Sequence, residues 1–220
     1  MASLHPLHKW FTGLCALGAA CLLLGCEADV RDECGGFGDQ VSCLSIQSIT
    51  PTDGSGNSSN VDAFQSVCSP GTVDPVTGEP TGDAQTEALT DHNATIVFAN
   101  TTFPTAQNSL PVTIMNYSVS YSLNFCPANA LCPPLTGFSV SPGQTLQVPA
   151  GGVVSADFPL VPLSVKSEFA ASAQPTNGGI FPPPSYTATY VFTAQTDFFS
   201  SDIRIEGFTQ FTIGNFNNCM

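Results

Sequence analysis

Positive charge is what this chain has least of. Of 220 residues only 4 are Lys or Arg, against 17 Asp or Glu, for a formal net charge of −13. Such a balance excludes a phosphate-neutralising grip on nucleic acid and a purely electrostatic grip on anionic lipid. It suits divalent cations or basic partners instead. Charged residues of both signs make up 10% of the chain, well under the usual share of about 25%. There is one Trp and there are three His. Trp10, His5 and His8 all fall in the first ten positions, so His92 is the only imidazole beyond them. A Ser-His-Asp hydrolase needs a histidine base. His92 stands in TDHNA, where Asp91 is a sequence neighbour and nothing more, and no GxSxG is present; a surface or capping role is expected for it. No CxxC or CxxCH occurs, which leaves zinc ribbons and c-type haem without their ligands. No fixed-period repeat is visible. Gly (19) and Pro (18) interrupt the chain too often for long helices.

The apolar run that does exist is short. Trp10 to Leu24 is almost wholly apolar or small and follows a stretch with one firm positive charge, Lys9. About 20 residues are needed to span a bilayer, and this run has the proportions of a secretory signal peptide. It ends in CLLLGCEADV, with Leu23-Leu24-Gly25-Cys26 at its centre. This resembles the lipobox of bacterial lipoproteins: a branched residue three places before the cysteine and a small one directly before it. The resemblance covers the first 26 residues. It implies that Cys26 receives a diacylglycerol and becomes the new N-terminus. Each buried methylene contributes about 0.8 kcal/mol and a single chain holds weakly, so the several chains of a triacylated cysteine imply a lasting anchor. The sorting rule of such lipoproteins retains Asp at the next position in the inner membrane; Glu27 stands there, which implies the outer membrane. Residues 1–25 are thus expected to be a signal peptide and 26–42 an acidic tether, with Asp29, Asp32 and Glu33 in it.

Cysteine usage fits that compartment. Of nine cysteines, Cys15 and Cys21 leave with the signal peptide and Cys26 takes the lipid. Cys34, Cys43, Cys68, Cys126, Cys132 and Cys219 remain, and an even number in an exported chain reads as a disulfide framework. Six cysteines allow 15 pairings. Cys126 and Cys132, enclosing PANAL between strand-like runs, are expected to pair. Cys34 with Cys43 follows the same logic, leaving Cys68 with Cys219, a long closure worth on the order of 5 kcal/mol in the chain-entropy model.

Residues 43–220 are expected to form one all-β domain, an antiparallel sandwich of about seven to nine strands. Strands are expected at LSIQSI (44–49), ATIVF (94–98), NYSVSYSLNF (116–125), GFSV (137–140), on either side of the PAGG turn in TLQVPAGGVVSADF (145–158), at YTATYVFTA (186–194) and at IRIEGFTQFTI (203–213). The clearest is NYSVSYSLNF, where Tyr117, Val119, Tyr121, Leu123 and Phe125 alternate with Ser and Asn, the period of a half-buried strand. The pattern breaks near Gly207, where Phe208 and Phe211 suggest a bulge. PLVPLSVKSEFAA (159–171) alternates as a strand from Val161 to Phe169, yet its end also suits a helical turn. Residues 50–92 read as a long irregular loop in which only VDAFQSVC (61–68) looks ordered. TLQVPAGGVVSADFPL and the closing pair YTATYVFTAQ and DIRIEGFTQFTIG resemble immunoglobulin-like and fibronectin-like modules over residues 93–216. The resemblance implies an Ig-like sandwich, although the core tryptophan and the Cys…Trp…Cys pattern of antibody domains are missing. A small outer-membrane barrel fits less well, because it needs a broad apolar band where this chain has Ser, Thr and Asn.

Calcium takes six to eight oxygen ligands, and two loops carry suitable groups. DGSGNSSNVD (53–62) offers Asp53, Asn57, Asn60 and Asp62. DPVTGEPTGDAQTEALTD (74–91) offers Asp74, Glu79, Asp83, Glu87 and Asp91 without a basic residue, and these five are the candidate calcium ligands; a solvated acidic loop is the plainer reading. Asp157, Glu168 and Glu206 are strand-borne candidates for a carboxylate-pair hydrolase, a weaker reading. Sequons occur at Asn57, Asn93, Asn100 and Asn116, by-products of composition in a bacterial chain. The sequence therefore points to a non-catalytic, lipid-anchored envelope protein, a structural or interaction module held at the membrane by its lipid. Its expected partner is an envelope protein or a glycan, with no nucleic acid and no cofactor unless calcium.

Overall fold

A computed structural model describes residues 42–53, 56–79, 81–102, 110–128, 130–141, 146–173, 182–196 and 199–216. Cys26 and Cys34, with the whole signal and tether, and Cys219 lie outside the described residues. In chain order the strands are β1 (Ser42–Asp53), β2 (Gly56–Asn57), β3 (Asn60–Asp62), β4 (Val67–Ser69), β5 (Gln85–Thr86), β6 (His92–Thr102), β7 (Val112–Phe125), β8 (Phe138–Val140), β9 (Leu146–Val148) and β10 (Val153–Val161). Helix α1 (Leu163–Ser172) follows, then β11 (Ser185–Thr196) and β12 (Phe199–Gly214).

The described residues are all-β apart from that one helix. One sheet runs β10-β6-β1-β2, the other β3-β12-β11-β7-β8 with β9 also on β7, and β4 pairs β5 separately. All pairings are antiparallel except β3 on the end of β12, where Asn60, Val61 and Asp62 face Thr212, Ile213 and Gly214. The two large sheets stack through aromatic rings. Phe98 of β6 and Phe158 of β10 meet Phe192 of β11, with centroids 5.0 and 5.1 Å away. Tyr117 of β7 lies 5.0 Å from Phe158. Edge-to-face pairs of this kind add about 0.5–1.5 kcal/mol each beyond their burial, and they fill the core without a tryptophan. Two tyrosines tie the layers together: Tyr190 donates to the Pro159 carbonyl at 3.0 Å and Tyr121 to Leu160 at 2.5 Å.

Local chemistry explains where the pattern shifts. The register of β1 on β6 slips between Ile46 and Ser48, so that Leu44, Ile46 and Ile49 are all buried although strict alternation would turn Ile49 outward. In the PAGG turn Gly151 takes φ +66°, a left-handed geometry that costs glycine little, and Gly152 N–H closes on the Pro149 carbonyl at 2.9 Å. The bulge expected at Gly207 is not there: β11 and β12 stay in register from Ser185–Thr212 to Ala194–Ile203. Gly207 is glycine for another reason. It faces inward, and a Cβ on it would stand 2.9 Å from Ile49 Cδ1 and 3.0 Å from Ile46 Cδ1.

Residues 163–172 are helical, resolving the ambiguous stretch. Proline 162 supplies no side-chain cap. The cap comes from far away, as Asp91 Oδ1 accepts the Leu163 N–H at 2.7 Å, which also places negative charge at the positive end of the helix. Nor is 50–92 irregular. β1 runs on to Asp53, β4 and β5 pair through Val67–Thr86 and Ser69–Gln85, and a turn at 74–78 folds the intervening chain back. That turn is built by Asp74, whose Oδ1 accepts from Val76 and Thr77 at 2.7 and 3.1 Å, and by Gly78 at φ +72°.

Candidate functional site

Among the described residues, burial of charge gathers in one place. Asp62, Glu87, His92 and Lys166 are 4, 7, 2 and 4% exposed. They come from β3, the segment after β5, the start of β6 and α1, and they meet where residues 63–91 fold back as a flap over one end of the sandwich. Lys166 is one of two basic side chains beyond Arg31, the other being Arg204, and four carboxylates, Asp62, Asp91, Glu87 and Asp53, act on it.

Asp62 is fixed first. The β3 strand ends where its Oδ1 accepts two backbone N–H groups, from Phe64 and Phe216, each at 3.2 Å. One carboxyl thereby joins the chain leaving β3 to the chain leaving β12. Its other oxygen, Oδ2, is buried and, among the described residues, reached by no N–H or hydroxyl; the Asp62 carboxyl interacts with the side chain of Glu87. Burial pushes the Asp62 carboxyl up to about 6, the Phe64 and Phe216 amides pull against the rise, and Glu87 adds to it. Two carboxyl groups in hydrogen-bond contact need a proton between them, since carboxylates are acceptors only.

Glu87 is held by its backbone. Its N–H donates to Ser66 at 2.9 Å and its carbonyl accepts from Gln65 Nε2 at 2.9 Å. Phe64 then lies edge-on to Phe169 of α1, centroids 6.0 Å apart, and Phe169 in turn packs on Tyr186 of β11. The flap, the helix and the sheet thus close over the cluster. Desolvation lowers the Lys166 ammonium, with the four carboxylates opposing. It also lowers the His92 imidazole, against the pull of the Ser58 carbonyl. That carbonyl stands 2.9 Å from His92 Nε2, so Nε2 carries the proton.

The other expected residues scatter. Asp74 builds its turn, and its two amide donors hold its carboxyl below the usual range. Glu79 and Asp83 are exposed. Asp91 caps α1. Among the described residues no three His, Cys, Asp or Glu gather closely enough to hold a metal ion. Asp157 faces outward from β10 and accepts from Thr95 Oγ1 at 2.6 Å. Glu206 faces outward from β12, on the other sheet. Glu168 belongs to α1 rather than to a strand, because Pro162 ends β10 before it. Asn100 is buried with Nδ2 on the Leu110 and Val148 carbonyls, which removes it as a glycan acceptor. Cys126 and Cys132 are bonded to each other, as expected. Cys43 and Cys68 are disulfide-bonded too, while Cys34 and Cys219, the partners expected for them, lie outside the described residues.

Sequence reasoning overlooked Lys166. The signal was there: a lone lysine inside the apolar LSVKSEF, in a chain with four basic residues. Compared with protein families, with curated proteins and with solved structures, the chain matches none.

Proposed function

We propose that this chain is a non-catalytic, lipid-anchored protein of the bacterial cell envelope whose Ig-like sandwich serves as a structural or protein-interaction module. The placement of His92 carries the reading of the body. The one imidazole beyond the signal region is buried and bonded to the Ser58 carbonyl, which supports a structural role for it. Asp157 and Glu206 stand on the outer faces of opposite sheets, whereas a glycosidase pair must flank one bond within about 10 Å. The Ig-like assignment is supported by strand order. The sheet β1, β6, β10 matches an A-B-E arrangement, and β12, β11, β7, β8 matches G-F-C-C′. The helix between β10 and β11 is an addition to that plan. The anchor rests on Leu23-Leu24-Gly25-Cys26.

For the contact surface we favour the end of β7. Leu123 and Phe125 are 46 and 47% exposed, and Leu131 is 56% exposed. The Cys126–Cys132 bond draws Leu131 toward Phe125. The test is site-specific photo-crosslinking in the native cell with the reactive group at position 125. A discrete protein adduct that Leu123→Ser abolishes is the expected result. No adduct from position 125 or from position 131 would contradict the proposed surface.

A further inference from the structure

We propose that Asp62 and Glu87 form a proton-operated clasp: sharing one proton they hold the flap of residues 63–91 on the β3–β12 edge, and without it the flap loosens. The geometry makes the clasp specific. Asp62 Oδ1 is occupied by the Phe64 and Phe216 amides, so the carboxyl cannot turn away from Glu87 without giving up both. Ser66 and Gln65, on the other limb of the flap, hold the Glu87 backbone. The two residues lie on opposite limbs of the flap, 62 where it leaves the sandwich and 87 where it returns. Their contact is therefore a closure, and Ser66 Oγ on Asn215 at 3.0 Å lies on the same seam.

Among the described residues the charged groups acting at this point come from several elements. Lys166 faces the pair from α1, with Asp91 from the segment before β6 and Asp53 from β1. His92 of β6 stands beside Lys166 and Asp53. Among the described residues one ammonium, Lys166, faces four carboxylates here, so a second negative charge in the pair is costly. A proton removes it at the smallest volume.

The sign of the response follows from burial. The closed form binds the proton more tightly than the open form, in which the Asp62 carboxyl returns to its ordinary value of 3.8. Acid therefore tightens the clasp. Closure is strongest below that value and weakens as pH rises to about 6, the value of the folded carboxyl, with no further change above it. His92 works the other way, since burial favours its neutral form, and acidification below 6.5 weakens its packing.

The test is hydrogen exchange by mass spectrometry on the full oxidised chain in detergent, between pH 4 and 7, corrected for intrinsic exchange. Amides of 63–69 and 85–88 are compared with those of β11. In the wild type, flap protection should fall up to about tenfold per pH unit between about 4 and 6 and then level off, while β11 does not follow. Asp62→Asn keeps an acceptor for the two amides and offers Glu87 a permanent donor, so its flap should stay protected across the range. Glu87→Gln makes the same substitution from the other side and serves if the first variant does not fold. Flap protection that changes with pH equally in wild type and variant, or that does not change in wild type, would overturn the clasp.

Discussion

Gly207 of β12 lies directly against Ile49 of β1: a Cβ on the glycine would come within 2.9 Å of the Ile49 Cδ1 and 3.0 Å of Ile46 Cδ1. The contact sets how closely the two sheets approach. Both isoleucines are buried, so their terminal methyls have little room to move. Gly207→Ala is expected to cost about 1–2 kcal/mol by overpacking, and Gly207→Val more. Urea denaturation of both variants reads this directly. An alanine variant as stable as wild type would show that the sheets have slack at this point.

The Cys126–Cys132 bond closes a short loop. Replacing both cysteines by serine should lower stability by about 2 kcal/mol in the chain-entropy model. The loss should appear as a shift of the denaturation midpoint under oxidising conditions and vanish in reductant. An unchanged midpoint would mean that the PANAL loop is held by its own packing.

Two buried groups give the fold opposite pH responses. Burial depresses the His92 imidazole, so the stability it contributes is present above 6.5 and is lost as pH falls through its folded value. Burial raises the Asp62 carboxyl to about 6, so its contribution is present below 3.8 and is lost as pH rises through 6. In the wild type the two partly cancel between pH 4 and 6. Asp62→Asn removes one of them, and its stability should fall more steeply on acidification than that of wild type. Its stability at pH 7 should rise by about 1.5–3 kcal/mol, the worth of a hydrogen bond to a charged group. Parallel profiles for the two proteins would contradict this assignment.

Calcium should not stabilise the described fold. Asp74 and Asp91 are occupied by backbone amides, and the Glu87 side chain is turned to Asp62. Thermal melting with and without millimolar calcium is expected to coincide. A saturable rise that magnesium does not reproduce would reveal binding to the native state.

How much of this was legible in the sequence depended on range. The face of β7 carrying Tyr117 and Val119 was plain, because its alternation is a local signal and both side chains are buried. Leu123 and Phe125 continue the same alternation yet stand half in solvent, since nothing in a strand's own pattern says where the opposing sheet stops. Strict alternation from Leu44 and Ile46 turns Ile49 outward, and only the slip at Gln47, set by pairing with β6, brings it in. The helix at 163–172 was half-hidden: LSVKSEF alternates, and the cap that starts the helix sits 72 residues away at Asp91. Candidate carboxylates were recognised as residues but grouped by sequence distance. Asp62 and Glu87, assigned to two different acidic loops, meet in space, while Asp74 to Asp91 diverge. The disulfide at Cys126 was readable because its span is short.

The central claim, a sandwich tethered by lipid, is tested most directly by the mass of its N-terminal peptide. Intact protein extracted from the membrane fraction of its native cell would be digested and that peptide weighed. A peptide beginning at Cys26 and heavier by a diacylglyceryl group and an acyl chain is expected, with Cys26→Ser abolishing both the added mass and the membrane association. A peptide beginning elsewhere, or an unmodified Cys26, would contradict the account.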